Sequence, residues 1–281
     1  MLNPGNIDKP LLMGILNVTP DSFSDGGESF EQDAAVQHAL KMVDEGVDIL
    51  DIGAESTRPG ADRISADEQK QRIMPILCRL QDVLAKHVVI SIDTTLAEVA
   101  DAALQAGVGV INDVTAGRDD EGIFTLAADR NVPLILMHMQ GTPATMQVEP
   151  QYDDVVEEIR TFLLQRAALA EASGIKKENI IIDPGIGFGK SKQHNLELMA
   201  NLHRFVETDY TVLLGTSRKR FMGKICDVEQ FNELVGATCA TTSLGAMAGV
   251  KIFRVHDVKA NRQALDVTMA FQNAKYRDSE T

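Results

Sequence analysis

The chain of 281 residues is 44% apolar and carries 27 Lys plus Arg against 41 Asp plus Glu, a formal net charge of −14. That length can bury the core of one α/β barrel, and the acidic balance argues against a nucleic-acid surface, which needs a basic face. No apolar run approaches a membrane span, and Met1-Leu2-Asn3-Pro4 opens without a basic or hydrophobic leader, so a cytoplasmic protein is expected.

The first predicted strand covers residues 11–17 and runs into a loop rich in Gly, Pro, Ser and Asp that ends at Gly27. The second, 48–53, leads into a similar loop through Gly60. Both loops have the composition of lids, and Phe23 and Arg58 are costly on loops without a ligand. Ser65 with Glu68 forms a capping box before a helical pattern over 67–86, and Thr95 with Glu98 forms another after the third strand, 88–93. Strands follow at 108–113 and 133–138, a helix at 152–173, and a strand at 180–183. The last units are a strand at 211–217, a helix over 232–249 and a strand at 251–256. Near-continuous apolar runs such as Val88-Val89-Ile90 and Ile180-Ile181-Ile182 suit parallel strands buried on both faces. Eight strand–helix units without a composition break predict a (β/α)8 TIM barrel, a single domain over 1–281 with residues 1–9 as a short extension. A doubly wound open sheet is the structural rival. Cys78, Cys226 and Cys239 share no metal-like or disulfide-like spacing and read as buried thiols.

Nearly every predicted strand ends in a polar residue: Asn17, Asp51, Asp93, Asn112, His138, Asp183, Ser217 with Lys219, and Arg254 with His256. Such a ring at the C-terminal mouth of a barrel points to a ligand site rather than to solvation alone. Alternate strand residues share a face, so Arg254 and His256 converge and suit a phosphate-like anion; an Arg paired structurally with a carboxylate is the plainer alternative. The same alternation turns Ser217 and Lys219 one way; Arg218 has no assigned role and reads equally well as a surface charge. Asp93 and Asp183 can each accept the paired N–H groups of a guanine-like or pterin-like edge, or serve as helix N-caps. Residues 184–191 fail the Walker pattern, because Pro184 stands at its first Gly position, and they fail the Rossmann spacing as well. Their glycines let backbone approach a flat ligand and present Phe188 as an apolar wall.

Together these segments resemble the dihydropteroate synthase family: MGILNVTPDSFSDGG at 13–27, DIGAESTRPG at 51–60, SIDT at 91–94, IND at 111–113, MHMQG at 137–141, DPGIGFGK at 183–190, SRK at 217–219 and RVHD at 254–257. The likeness spans almost the whole chain in the family's order; the strand or hairpin often preceding the first barrel strand is reduced to residues 1–9. The resemblance implies a homodimeric TIM-barrel transferase of folate synthesis, the target of sulfonamides. It would condense hydroxymethyl-dihydropterin pyrophosphate with p-aminobenzoate by dissociative substitution at the pterin methylene. By the same resemblance, Asp93, Asn112, Asp183 and Lys219 hold the pterin, Met137 lines its pocket and Arg254 stacks on its face. Asn17 meets Mg²⁺, and Asn17, Thr57, Arg58, Arg254 and His256 bind the pyrophosphate. Phe23, Arg58, Pro59, Phe188 and Ser217 form the p-aminobenzoate site, and Asp93, Lys219, Arg254 and His256 are the catalytic set. Two rivals stay open: a pterin-dependent methyltransferase-type domain, which needs no pyrophosphate site, and a pterin-binding paralogue without catalysis. A glycoside hydrolase is disfavoured by the lack of Trp and the presence of only three Tyr.

Overall fold

The structure, a computed structural model, describes residues 2–19, 28–56, 60–61 and 63–277. The eight apolar runs become strands β1 Leu11–Asn17, β2 Ile49–Gly53, β3 Val89–Asp93, β4 Val110–Asp113, β5 Leu134–Met137, β6 Ile180–Asp183, β7 Thr211–Leu214 and β8 Ile252–Val255. Each pairs in parallel with the next, and β8 returns to β1, so the sheet closes into the expected (β/α)8 barrel. Between and after them lie α1 Glu28–Asp44, α2 Ala66–Val83, α3 Ala97–Gln105, α4 Gly122–Arg130 and α5 Val155–Ala172. They are followed by α6 Lys192–Ala200, α7 His203–Val206, α8 Arg220–Cys226, α9 Val235–Ala248 and α10 Val258–Arg277.

The twofold periodicity of a strand divides the core in two. Outward residues such as Leu12, Leu50, Ile92, Leu136, Ile182 and Phe253 join the cluster shared with the helices. Inward ones, Met13, Ile49, Val110, Ile135, Ile181, Leu213 and Ile252, form a separate plug across the barrel. Each such side chain, fully buried, contributes about 1.5–3 kcal/mol. The N-terminal segment lies against the floor of the barrel. Leu2 and Ile7 pack beneath the plug, and the Thr211 hydroxyl donates to the Pro4 carbonyl at 2.7 Å.

Several local expectations change. Ser65 does cap α2, accepting the Glu68 N–H at 3.2 Å, but Thr95 does not cap α3; Asp120 reaches across from the next unit to accept the Ala97 N–H at 2.8 Å. A reciprocal capping box instead opens α6, between Ser191 and His194. Cys78 and Cys226 are exposed and Cys239 is half-buried, so the thiols are not the buried set expected. Among the described residues, no helix is long and apolar enough to cross a membrane.

Candidate active site

Two residues beyond the apolar plug, the inward positions turn polar. Asp51 follows Ile49, Ser91 follows Val89, Asn112 follows Val110, Asp183 follows Ile181 and Arg254 follows Ile252; Met137, after Ile135, stays apolar. Parallel register sets Asp51 beside Ser91, Asp93 beside Asn112, and Met137 beside Asp183. The barrel thus brings Asp93, Asn112, Met137, Asp183, Lys219, Arg254 and His256 to one end, as the strand-end ring required.

On the β2–β3–β8 side, Arg254 bridges two carboxylates. Its Nε donates to Asp51 Oδ2 at 2.7 Å and its Nη2 to Asp93 Oδ2 at 2.8 Å. The same Asp51 oxygen accepts the Asn112 Nδ2 at 3.0 Å, which leaves the Asn112 carbonyl oxygen for another donor. Asp51 Oδ1 and Ser91 Oγ are buried without a hydrogen-bond partner. Burial pushes the Asp93 carboxyl up to about 7; Arg254 opposes the shift, and Asp51, Asp113 and Glu55 add to it. Burial also disfavours the Arg254 charge, but the fields of Asp51 and Asp93 outweigh it and hold its pKa above the usual arginine value.

On the β5–β6–β7 side, Asp183 Oδ1 accepts the Gly185 N–H at 2.7 Å, and burial raises its pKa to about 6 against that bond and the nearby lysines. Lys219 lies with Nζ 3.9 Å from the centre of the Phe188 ring. Burial lowers its pKa to about 8, partly offset by Asp183. Phe188 packs on a cluster of Val114, Met137, Met139 and Met146. Neither Asp93 nor Asp183 caps a helix.

Ser217 and Lys219 reach the mouth by a different route from the one expected. β7 stops at Leu214, and Arg218 takes a left-handed conformation at φ 58°, so the three residues form a turn rather than a strand. Ser217 Oγ accepts the His256 backbone N–H at 3.1 Å and lies 3.0 Å from His256 Nδ1. Burial, then Arg218 and Arg254, push the His256 imidazole down to about 3, so it is neutral near pH 7 and acts as a hydrogen-bonding group, not a cation. Arg218 is no idle surface charge: its Nε and Nη2 grip Asp257 at 3.0 and 2.7 Å.

The expected Mg²⁺ site at Asn17 needs correction. Among the described residues, no group of three or more His, Cys, Asp or Glu stands close enough to hold a metal ion. Asn17 offers one neutral amide where a hard dication takes several oxygens, and the carboxylates of Asp51 and Asp93 are committed to Arg254. Phe23, Thr57, Arg58 and Pro59 lie outside the described residues, as does most of the first predicted lid loop.

Asp51 stood in the sequence only as one of the polar strand ends, and neither Ser91 nor Lys190 had a role there. Asp51 and Ser91 carried a signal, a polar residue two positions after an inward apolar one. Lys190, buried beside His138, carried none beyond its place at the end of the Gly-rich run.

A model of the pterin binding enzyme family matches residues 13–256. The dihydropteroate synthase of Bacillus subtilis is 45% identical over 252 residues, covering 90% of this chain and 85% of that one. A probable bifunctional folylpolyglutamate synthase/dihydropteroate synthase of Haloferax volcanii is 44% identical over 263 residues; they make up 94% of this chain and 31% of that longer protein. The solved Xanthomonas albilineans dihydropteroate synthase with 4-aminobenzoic acid superposes with a TM-score of 0.88 at 45% identity, over 94% of each chain.

Proposed function

The chain belongs to the pterin-binding enzyme family, and from that premise we propose that it is a dihydropteroate synthase, joining hydroxymethyl-dihydropterin pyrophosphate to p-aminobenzoate to give dihydropteroate and pyrophosphate. One observation carries the reading: the buried acceptors Asp93, Asn112 and Asp183 and the apolar Met137 stand at neighbouring register positions at one end of the barrel, with the Lys219 ammonium close to Asp183. A dihydropterin edge presents N–H groups from its amino and ring nitrogens, with a carbonyl oxygen and a ring nitrogen beside them. The free oxygen of Asp183 and the free carbonyl of Asn112 accept from it, and Lys219 donates to it.

The chain's own groups account for the displacement. The methylene C–O bond breaks with its electron pair leaving on pyrophosphate, and the electron-rich pterin spreads the positive charge, which Asp93 steadies. The arylamine nitrogen then forms the C–N bond and loses its proton to solvent; it is already a neutral nucleophile near pH 7 and needs no base of the triad kind. Arg254 Nη1, which makes neither of the two carboxylate bonds, and His256 Nε2–H meet the leaving charge. The Ser217 hydroxyl favours that tautomer by facing Nδ1. Phe188 and Ser217 border the p-aminobenzoate slot, to which Phe23, Arg58 and Pro59 are also assigned; Asn17, Thr57 and Arg58 are assigned to the pyrophosphate.

The test is formation of dihydropteroate by the purified protein from the two substrates, with one pyrophosphate released per product. A protein that binds pterin but gives no product would be the non-catalytic paralogue. A sulfonamide should compete with p-aminobenzoate in the same assay. The homodimer is assigned to α9 and α10, where Leu244, Met247, Val267 and Phe271 stand exposed; light scattering at the mass of one chain would overturn it.

A further inference from the structure

Lys190 has no part in the chemistry above, yet it is 3% exposed. Its Nζ lies 3.0 Å from His138 Nδ1, 3.3 Å from the His138 carbonyl and 2.9 Å from the Phe188 carbonyl. Those three contacts saturate it. Burial pushes the Lys190 amine well below the usual lysine pKa, opposed by Asp183; its Nζ donates to both carbonyls, with the imidazole nitrogen as its third partner. His138 is fixed in turn, with Phe162 edge-on at 4.9 Å between ring centres and Tyr152 at 6.1 Å.

The turn from Pro184 to Ser191 therefore lies against the end of β5 with little freedom. A Cβ on Gly185 would land on the His138 carbonyl oxygen, and one on Gly189 would come 2.6 Å from the Gln140 carbonyl. Both glycines hold positive φ, 67° and 65°. Tyr152 donates to the Gly189 carbonyl at 2.9 Å and Gln147 to the Gly187 carbonyl at 2.8 Å. Lys190 alone among these side chains grips the carbonyl of Phe188, whose ring covers Lys219.

We propose that Lys190 is a positioning residue for the p-aminobenzoate slot: by tying the Phe188 carbonyl to the end of β5, it holds the Phe188 ring at the angle the arylamine needs. The inference rests on the proposed synthase activity. A buried lysine that only filled space would affect every ligand alike, whereas one acting through Phe188 affects the second substrate.

The test is a double-mutant cycle with Lys190→Met, which keeps an unbranched chain but removes the donors, and Phe188→Ala. Lys190→Met should raise KM for p-aminobenzoate about tenfold, the loss of one well-placed hydrogen bond. Its kcat, and its calorimetric affinity for a pterin lacking the diphosphate, should stay within about twofold of wild type. In the Phe188→Ala background, Lys190→Met should shift KM by less than about twofold. Equal shifts in both backgrounds, or a loss spread over kcat and pterin affinity, would overturn the proposal. Lys190→Gln keeps a shorter donor, should give a smaller shift of the same sign, and serves if the methionine variant does not fold. Failure of both to fold would make Lys190 part of the scaffold and also overturn it. A wild-type protein that makes no dihydropteroate fails the functional reading itself; an active one with additive shifts fails only the role of Lys190.

Discussion

The two sides of the barrel mouth bury their charges differently. On the β2–β3–β8 side, one guanidinium faces two carboxylates, and an oxygen of Asp51 and the hydroxyl of Ser91 are left without partners. On the β5–β6–β7 side, Lys190 meets two carbonyls and the His138 imidazole, and the backbone of the Gly-rich turn is tied by Asp183, Asn195, Tyr152 and Gln147. An unpaired buried acceptor costs about 1–3 kcal/mol, so the protein's own groups satisfy the first side less fully than the second. The second is already in its working shape, which lowers the ordering cost of binding. Recognition of the pterin draws on the first side together with Asp183 and Lys219 of the second, and placement of the arylamine on the rigidity of the Gly-rich turn.

The largest test of that contrast is stability. Arg254→Met strands two buried carboxylates and should cost about 3–5 kcal/mol in urea unfolding. Lys190→Met leaves only neutral partners behind and should cost less, about 1–3 kcal/mol. Equal losses would erase the distinction between the two sides. Asp183→Ala should come next, weakening a diphosphate-free pterin by about 1.5–3 kcal/mol, the value of a charge-assisted acceptor. Calorimetry that finds unchanged affinity would remove Asp183 from the pterin site.

A smaller effect concerns pH. A carboxylate whose folded pKa lies above its unfolded one binds more protons when folded. The stability it contributes is present below about pH 4 and is lost as pH rises through about 6 for Asp183 and about 7 for Asp93. Asp93 and Asp183 should each withdraw at most about 1.4 kcal/mol per pH unit between pH 4 and their folded pKa, a loss that neutral buried His256 opposes up to about pH 6.5. Asp93→Asn should flatten the upper part of that slope, and an unchanged slope would assign the proton elsewhere. Smallest of all, Ser217→Ala frees the His256 ring and should lower kcat/KM by about two- to tenfold, the worth of one neutral hydrogen bond.

The barrel was legible in the sequence because parallel strands buried on both faces read as apolar runs, and Ile180-Ile181-Ile182 could hardly be anything else. The polar ring was legible for the same reason, since its members punctuate those runs. What the sequence concealed depends on contacts between distant units. Thr95 and Glu98 had the spacing of a capping box, but Asp120 from the next unit took the N-terminus of α3. Ser217-Arg218-Lys219 had strand alternation on paper, yet Arg218 turns left-handed and closes on Asp257. Arg254 could serve an anion or pair with a carboxylate; it pairs with two, 203 and 161 residues away in sequence, which its local pattern could not identify. The Mg²⁺ expected at Asn17 came from resemblance alone, and no cluster of ligands among the described residues accompanies it.

Acceptance of the pterin N–H donors by Asp93 and Asp183, one on each side of the mouth, joins the site to its function. Its most direct measurement is calorimetric titration of a diphosphate-free dihydropterin into the wild-type protein at pH 6.5, repeated in buffers of different ionisation enthalpy. Asp93 and Asp183, held near 7 and 6 by burial, are partly protonated there and must ionise to accept those donors. The account predicts binding with net release of up to about one proton, fading as pH rises above about 8. Binding with proton uptake, binding with no proton exchanged, or no binding would contradict it.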